Sequence, residues 1–87
     1  VTRRALLEAT CGKHGVLAVY LFGSRADDGL ALLDGEAVAA KGSDLDVGVV
    51  FDRHDFKPGV RATLQVAMED VFEPLRVDLV PLQRVDA

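Results

Sequence analysis

The sequence predicts a small α/β domain of the α+β kind, a mixed β-sheet with helices packed on one face. Two observations carry this expectation. Apolar stretches of strand length at Val16–Phe22, Leu45–Phe51 and Arg76–Val80 alternate with helix-patterned stretches at residues 2–12 and Val60–Phe72. The chain has 87 residues, 49% of them hydrophobic, which suits one globular domain spanning 1–87 and a modest core.

Residues 2–12 read as a helix with Thr2 as N-cap and Ala5, Leu6, Ala9 and Cys11 on its apolar side. Gly12 and Gly15 bracket the turn that follows. Val16–Phe22 is a continuous apolar run rich in β-branched residues, the pattern of a buried strand. It stops at Gly23-Ser24, where Ser24 is placed to cap a short helix, with Asp27 three residues on. Residues 28–43 carry turn signals at Asp28-Gly29, Asp34-Gly35 and Lys41-Gly42. Leu30–Leu33 and Glu36–Ala40 flank one of them as a hairpin would, although the alanines also permit a broken helix. The favoured reading is an exposed excursion, with Lys41 keeping it soluble.

Leu45–Phe51 alternates as a strand should, and Asp52–Gly59 is a polar connection. Val60–Phe72 is amphipathic through Val60, Leu64, Ala67, Met68 and Val71, and Pro74 ends it. In Arg76–Val80, Val77 and Leu79 share one face and Asp78 takes the other.

The net charge is −4, with 14 acidic against 10 basic side chains, which weighs against broad nucleic-acid binding. The lone Cys11 cannot form an internal disulfide, and no near-neighbour His marks it as a nucleophile. With no membrane-length apolar run and no signal-peptide pattern, the expectation is a cytoplasmic protein. His14 and His54 fall in predicted turns without ligand-spaced partners, and Met68 reads as core.

The chemistry concentrates at Gly42-Ser43-Asp44-Leu45-Asp46. Strand alternation points Asp44 and Asp46 the same way, and two like charges side by side are best explained by a divalent cation between them. Gly23-Ser24 offers a tight turn and helix N–H groups to a phosphate. Arg25 is either a further phosphate contact or an exposed helix residue. If the third strand lies beside the second, Asp78 joins Asp44 and Asp46 in an oxygen-rich site suited to Mg²⁺. Two such ions would clamp the attacking and leaving oxygens of a phosphoryl displacement.

Gly23-Ser24, Asp44-Leu45-Asp46 and Asp78 together resemble the DNA polymerase β-like nucleotidyltransferase superfamily, and the size is similar to its minimal nucleotidyltransferases (MNT). The resemblance covers Val16–Val80 and implies a nucleotidyltransferase-like fold. It implies that Asp44 and Asp46 bind Mg²⁺, that Asp78 completes the site and helps deprotonate an acceptor hydroxyl, and that Gly23 and Ser24 hold the nucleotide triphosphate. It also implies transfer of a nucleoside monophosphate, AMP from ATP being the expectation, with loss of pyrophosphate. Many MNT proteins pair with HEPN partners as toxin–antitoxin systems, so a HEPN-type toxin is the expected acceptor. In one respect the chain departs from the pattern: nineteen residues separate Ser24 from Asp44, more than the family uses. Two other readings stand beside this one. One is a catalytically weak module of the same fold that acts by binding a partner. The other is an aminoglycoside-type small-molecule adenylyltransferase, for which the chain has little surface beyond the nucleotide site.

Overall fold

Burial along Leu45–Phe51 separates two layers. Leu45, Val47 and Val49 are fully enclosed and Phe51 nearly so, while Asp46 and Val50 between them are half-buried. A computed structural model describes residues 1–40, 42–51 and 58–82 of the chain. The elements run α1 (Arg3–His14), β1 (Val16–Phe22), α2 (Ala26–Leu33), β2 (Leu45–Phe51), α3 (Pro58–Val71) and β3 (Val77–Pro81). The sheet has the order β1-β2-β3, with β1 antiparallel and β3 parallel to β2. The parallel pair is joined through α3, as a crossover requires. This is the small mixed sheet that the sequence predicts.

The helices cover one face. Leu32 and Leu33 of α2, Leu64, Met68 and Val71 of α3, and Phe72 and Leu75 after it close over Leu45, Val47, Val49, Val77 and Leu79. Leu7 and Cys11 of α1 pack at the margin. Among the described residues, no helix is long and apolar enough to cross a membrane. His54 and Lys41 lie outside the described residues, as does most of the 52–59 connection.

Thr2 caps α1 as expected, accepting from Ala5 N at 3.0 Å, and Gly15 ends the helix in the left-handed region at φ 70°. The buried side differs from the expected one. Ala5, Leu6 and Ala9 are exposed, whereas Leu7, Thr10 and Cys11 face inward with Arg3 and His14 half-buried. These positions share one helical stripe, and polar contacts pin it. Arg3 Nη1 donates to Val71 O at 2.7 Å, a cation set against the C-terminal carbonyls of α3. His14 Nδ1 donates to Thr10 O at 2.9 Å, which places the histidine at the helix end rather than in a turn.

The continuous apolar run of β1 is an edge strand, not one buried on both faces. Its register slips between Val16 and Ala18, so Leu17 bulges outward and is 66% exposed. Tyr20 and Phe22 stand on the face that no helix covers, in register with Gly48 and Asp46. The outer edge of β3 is closed by a stripe along α3. Arg61 Nη2 donates to Leu79 O at 3.1 Å and Gln65 Nε2 to Val77 O at 2.7 Å, while Glu69 Oε2 accepts from Val77 N at 3.4 Å.

The predicted hairpin in the excursion does not form. Leu30–Leu33 finishes α2, because Leu32 and Leu33 reach the core from there. Asp28-Gly29 is no turn either: Gly29 lies inside α2, where a Cβ would come within 2.9 Å of Leu21 Cδ1. The excursion therefore begins only at Asp34-Gly35, with Gly35 at φ 89°.

Candidate active site

The site gathers where β1 leaves the sheet and β2 and β3 enter it. In the register, Phe22, Asp46 and Asp78 lie side by side across the three strands. Opposed residues share a face, so both carboxylates stand on the open face, away from the helices. Asp78 is exposed and Asp46 half-buried. Asp44 stands one residue ahead of β2 and is exposed. The condition attached to Asp78 is thus met: β3 adjoins β2, and Asp78 faces Asp46.

Gly23 links this row to the turn after β1. Its φ of 80° is left-handed, and a Cβ there would collide with Oδ2 of Asp46 and lie 3.1 Å from its Cγ. The Asp46 carboxylate therefore rests against bare backbone, and a side chain at position 23 would have to push it aside as well as adopt a left-handed backbone. Ser24 does not cap α2. Arg25 holds the N-cap position without a side-chain cap bond, and Ser24 Oγ instead shares a hydrogen bond with Ser43 Oγ at 2.9 Å. That bond joins the turn after β1 to the residue before Asp44. Ser43 stands in the Gly42-Ser43-Asp44 stretch singled out in the sequence, but its contact with Ser24 was not expected from the sequence.

Arg25 is buried, not an exposed helix residue. Its guanidinium donates to Asp28, to Ser43 O and to Ala39 O. With these bonds in place, it ties the turn to the excursion, and the exposed residues of that turn are Gly23 and Ser24.

Chemically, the open face offers the carboxylates of Asp46 and Asp78, while exposed Asp44, the Ser24 and Ser43 hydroxyls and the start of α2 lie in the turns at that end of the strands. Asp27 and Asp28 occupy the first turn of that helix. Carboxylate oxygens match a hard divalent cation that keeps waters and takes ligands from phosphate. They do not form a closed cage: among the described residues, no three His, Cys, Asp or Glu side chains are grouped to hold an ion. An ion shared between one or two of these carboxylates and a phosphate fits this donor set. A separate recess between α1 and α3, lined by Lys13, His14, Thr63, Val66 and Asp70, belongs to the helical side and holds none of these groups.

A family model described as nucleotidyltransferase domain matches residues 3–86. No curated protein and no solved structure gives a significant match.

Proposed function

This chain belongs to the nucleotidyltransferase domain family, and from that premise we propose a Mg²⁺-dependent transfer of AMP from ATP to a hydroxyl on a protein partner of the HEPN type. The observation that carries the reading is the row Asp46–Asp78 on the open face, with Gly23 backing the Asp46 carboxylate.

Each residue has a distinct part. Gly23 and Ser24 receive the phosphates through backbone N–H groups and the Ser24 hydroxyl. Asp44 and Asp46 would hold Mg²⁺, with Asp78 as the third carboxylate. The ion, when bound, neutralises charge on the phosphates and polarises the phosphorus. Asp78 accepts the proton of the acceptor hydroxyl. The acceptor oxygen bonds to the α-phosphorus as the bond to the bridging oxygen breaks, and pyrophosphate leaves with that oxygen's electrons. Because Asp46 and Asp78 lie on the uncovered face and Asp44 is exposed beside it, the acceptor can approach from solvent.

Calorimetric titration of ATP with Mg²⁺ tests the first step. Wild type is expected to bind and Asp44→Asn/Asp46→Asn to show no Mg²⁺-dependent heat; equal binding by both would sink the proposal. Transfer of labelled AMP to a co-expressed HEPN partner tests the second.

A second reading is favoured by one observation. Tyr20 and Phe22 are 54% and 41% exposed on the same face as the carboxylates, a surface suited to covering a partner. If this module acts by binding alone, the double Asn variant controls its partner as well as wild type does. Loss of that control would leave the enzymatic reading.

A further inference from the structure

We infer that Arg25 is a positioning residue for the carboxylate site, holding the segment that delivers Asp44 rather than touching the nucleotide; this rests on the nucleotidyl-transfer reading above. Among the described residues, Arg25 is the only charged one in the buried class, at 9% exposure. Its guanidinium ties together stretches that are distant in sequence. Nε donates to Asp28 Oδ2 at 2.6 Å, Nη1 to Ser43 O at 3.1 Å and Nη2 to Ala39 O at 2.8 Å. Asp28, one turn along α2, aims the planar fork. The two terminal nitrogens then grip carbonyls on either side of Gly42.

Gly42 is part of the device. It sits at φ 113°, and a Cβ there would lie 2.9 Å from Nη1. Glycine lets the backbone lie against the guanidinium. Ser43 is consequently held twice, by its carbonyl from Arg25 and by its hydroxyl from Ser24. The next residue is Asp44.

The length of the connection explains why such a tie is needed. After α2 ends at Leu33, residues 34–40 and 42–43 carry no helix or strand. An untethered lead of that kind would leave Asp44 many positions relative to Asp46 and Asp78. A metal-binding carboxylate works only when its own support fixes it. Lysine cannot substitute, because one ammonium does not span two separated carbonyls and a carboxylate in a fixed plane. The tie also spends the guanidinium's donors inward, so a phosphate would have to displace Ala39 and Ser43 to reach them.

The test compares wild type, Arg25→Lys and Asp28→Asn in the full chain by three measurements. These are Mn²⁺ affinity in the presence of ATP by electron paramagnetic resonance, tripolyphosphate affinity without metal, and hydrogen exchange of the amides at Ala39 and Gly42–Asp44. Arg25→Lys is expected to weaken Mn²⁺ binding by about tenfold or more. It should leave tripolyphosphate binding unchanged and speed exchange across the tied segment. Asp28→Asn should show the same pattern to a smaller degree, and it carries the comparison if Arg25→Lys does not fold. Loss of tripolyphosphate binding in step with Mn²⁺ would make Arg25 a phosphate ligand and overturn the inference. Unchanged Mn²⁺ affinity in folded Arg25→Lys would overturn it too. Failure of wild type to take up Mn²⁺ with ATP is a different result: it removes the nucleotidyl-transfer reading and the site that Arg25 would serve, while the exchange data still report whether Arg25 holds the segment.

Discussion

The two faces of β2 are built from the same seven residues to opposite ends. Leu45, Val47, Val49 and Phe51 point into the helices and lose nearly all contact with water. Asp46, Gly48 and Val50 point the other way, and there the strand carries a carboxylate beside another carboxylate, Asp78. The covered face is arranged for burial; the open face accepts like-charge repulsion that packing alone would not select. Stability and chemistry therefore sit a residue apart along one strand, and substitutions can separate them.

The largest stability effect is expected on the covered face. Leu64→Ala should cost about 2–5 kcal/mol in urea denaturation, because Leu64 is fully enclosed. Asp46→Asn, on the other face, should leave the midpoint unchanged or raise it slightly by relieving repulsion. An Asp46→Asn chain that unfolds as readily as Leu64→Ala would break the contrast. Gly23→Ala is the substitution that joins the two faces. It should cost about 1–2 kcal/mol for the left-handed backbone and also push Asp46 aside, so calorimetry should find Mg²⁺–ATP binding lost along with stability. If binding survives, the Asp46 carboxylate does not depend on Gly23. Gln65→Ala should cost about 1 kcal/mol for the lost bond to Val77 O and leave nucleotide binding intact.

The smallest effect is one of pH. Burial pushes the Cys11 thiol above its ordinary value, which favours the neutral form in the folded chain. That stabilisation is complete below the ordinary thiol pKa of about 8.5 and is lost as pH rises through the raised value. Wild type should lose slightly more stability than Cys11→Ala between neutral and alkaline pH. An identical loss in both would place the alkaline sensitivity elsewhere.

The covered face was the more legible of the two. The three strands fall within a residue or so of the expected bounds, and Met68 and Leu64 lie in the core, because apolar spacing reports directly on burial. Spacing misled where the open face is itself apolar. Tyr20 and Phe22 made β1 look enclosed on both sides, although no helix covers them. On α1, the small apolar residues Ala5 and Ala9 outweighed a stripe whose inward side is partly polar. The Asp-Gly pairs promised a hairpin, but Leu32 and Leu33 gain more by reaching the core from a continued α2. At the candidate site, Asp44, Asp46 and Asp78 were singled out by type, spacing and family resemblance, and the structure aligns Asp46 with Asp78. The bond between Ser24 and Ser43 and the ties of Arg25 connect residues that are distant in the chain. Such pairings become visible only once the fold brings them together.

The stripe of Arg61, Gln65 and Glu69 along β3 bears on how copies of this chain could meet edge to edge. A three-stranded sheet normally offers two open margins, and an open margin at both ends lets copies stack without limit. Here α3 occupies the hydrogen-bonding groups of one margin with its own side chains. Among the described residues, no strand pairs with the outer side of β1, so that margin is the one open to an added strand without displacing the Arg61, Gln65 and Glu69 contacts. Two copies meeting at that margin would consume both free sides at once. Among the described residues, sheet pairing of that kind would stop at two copies.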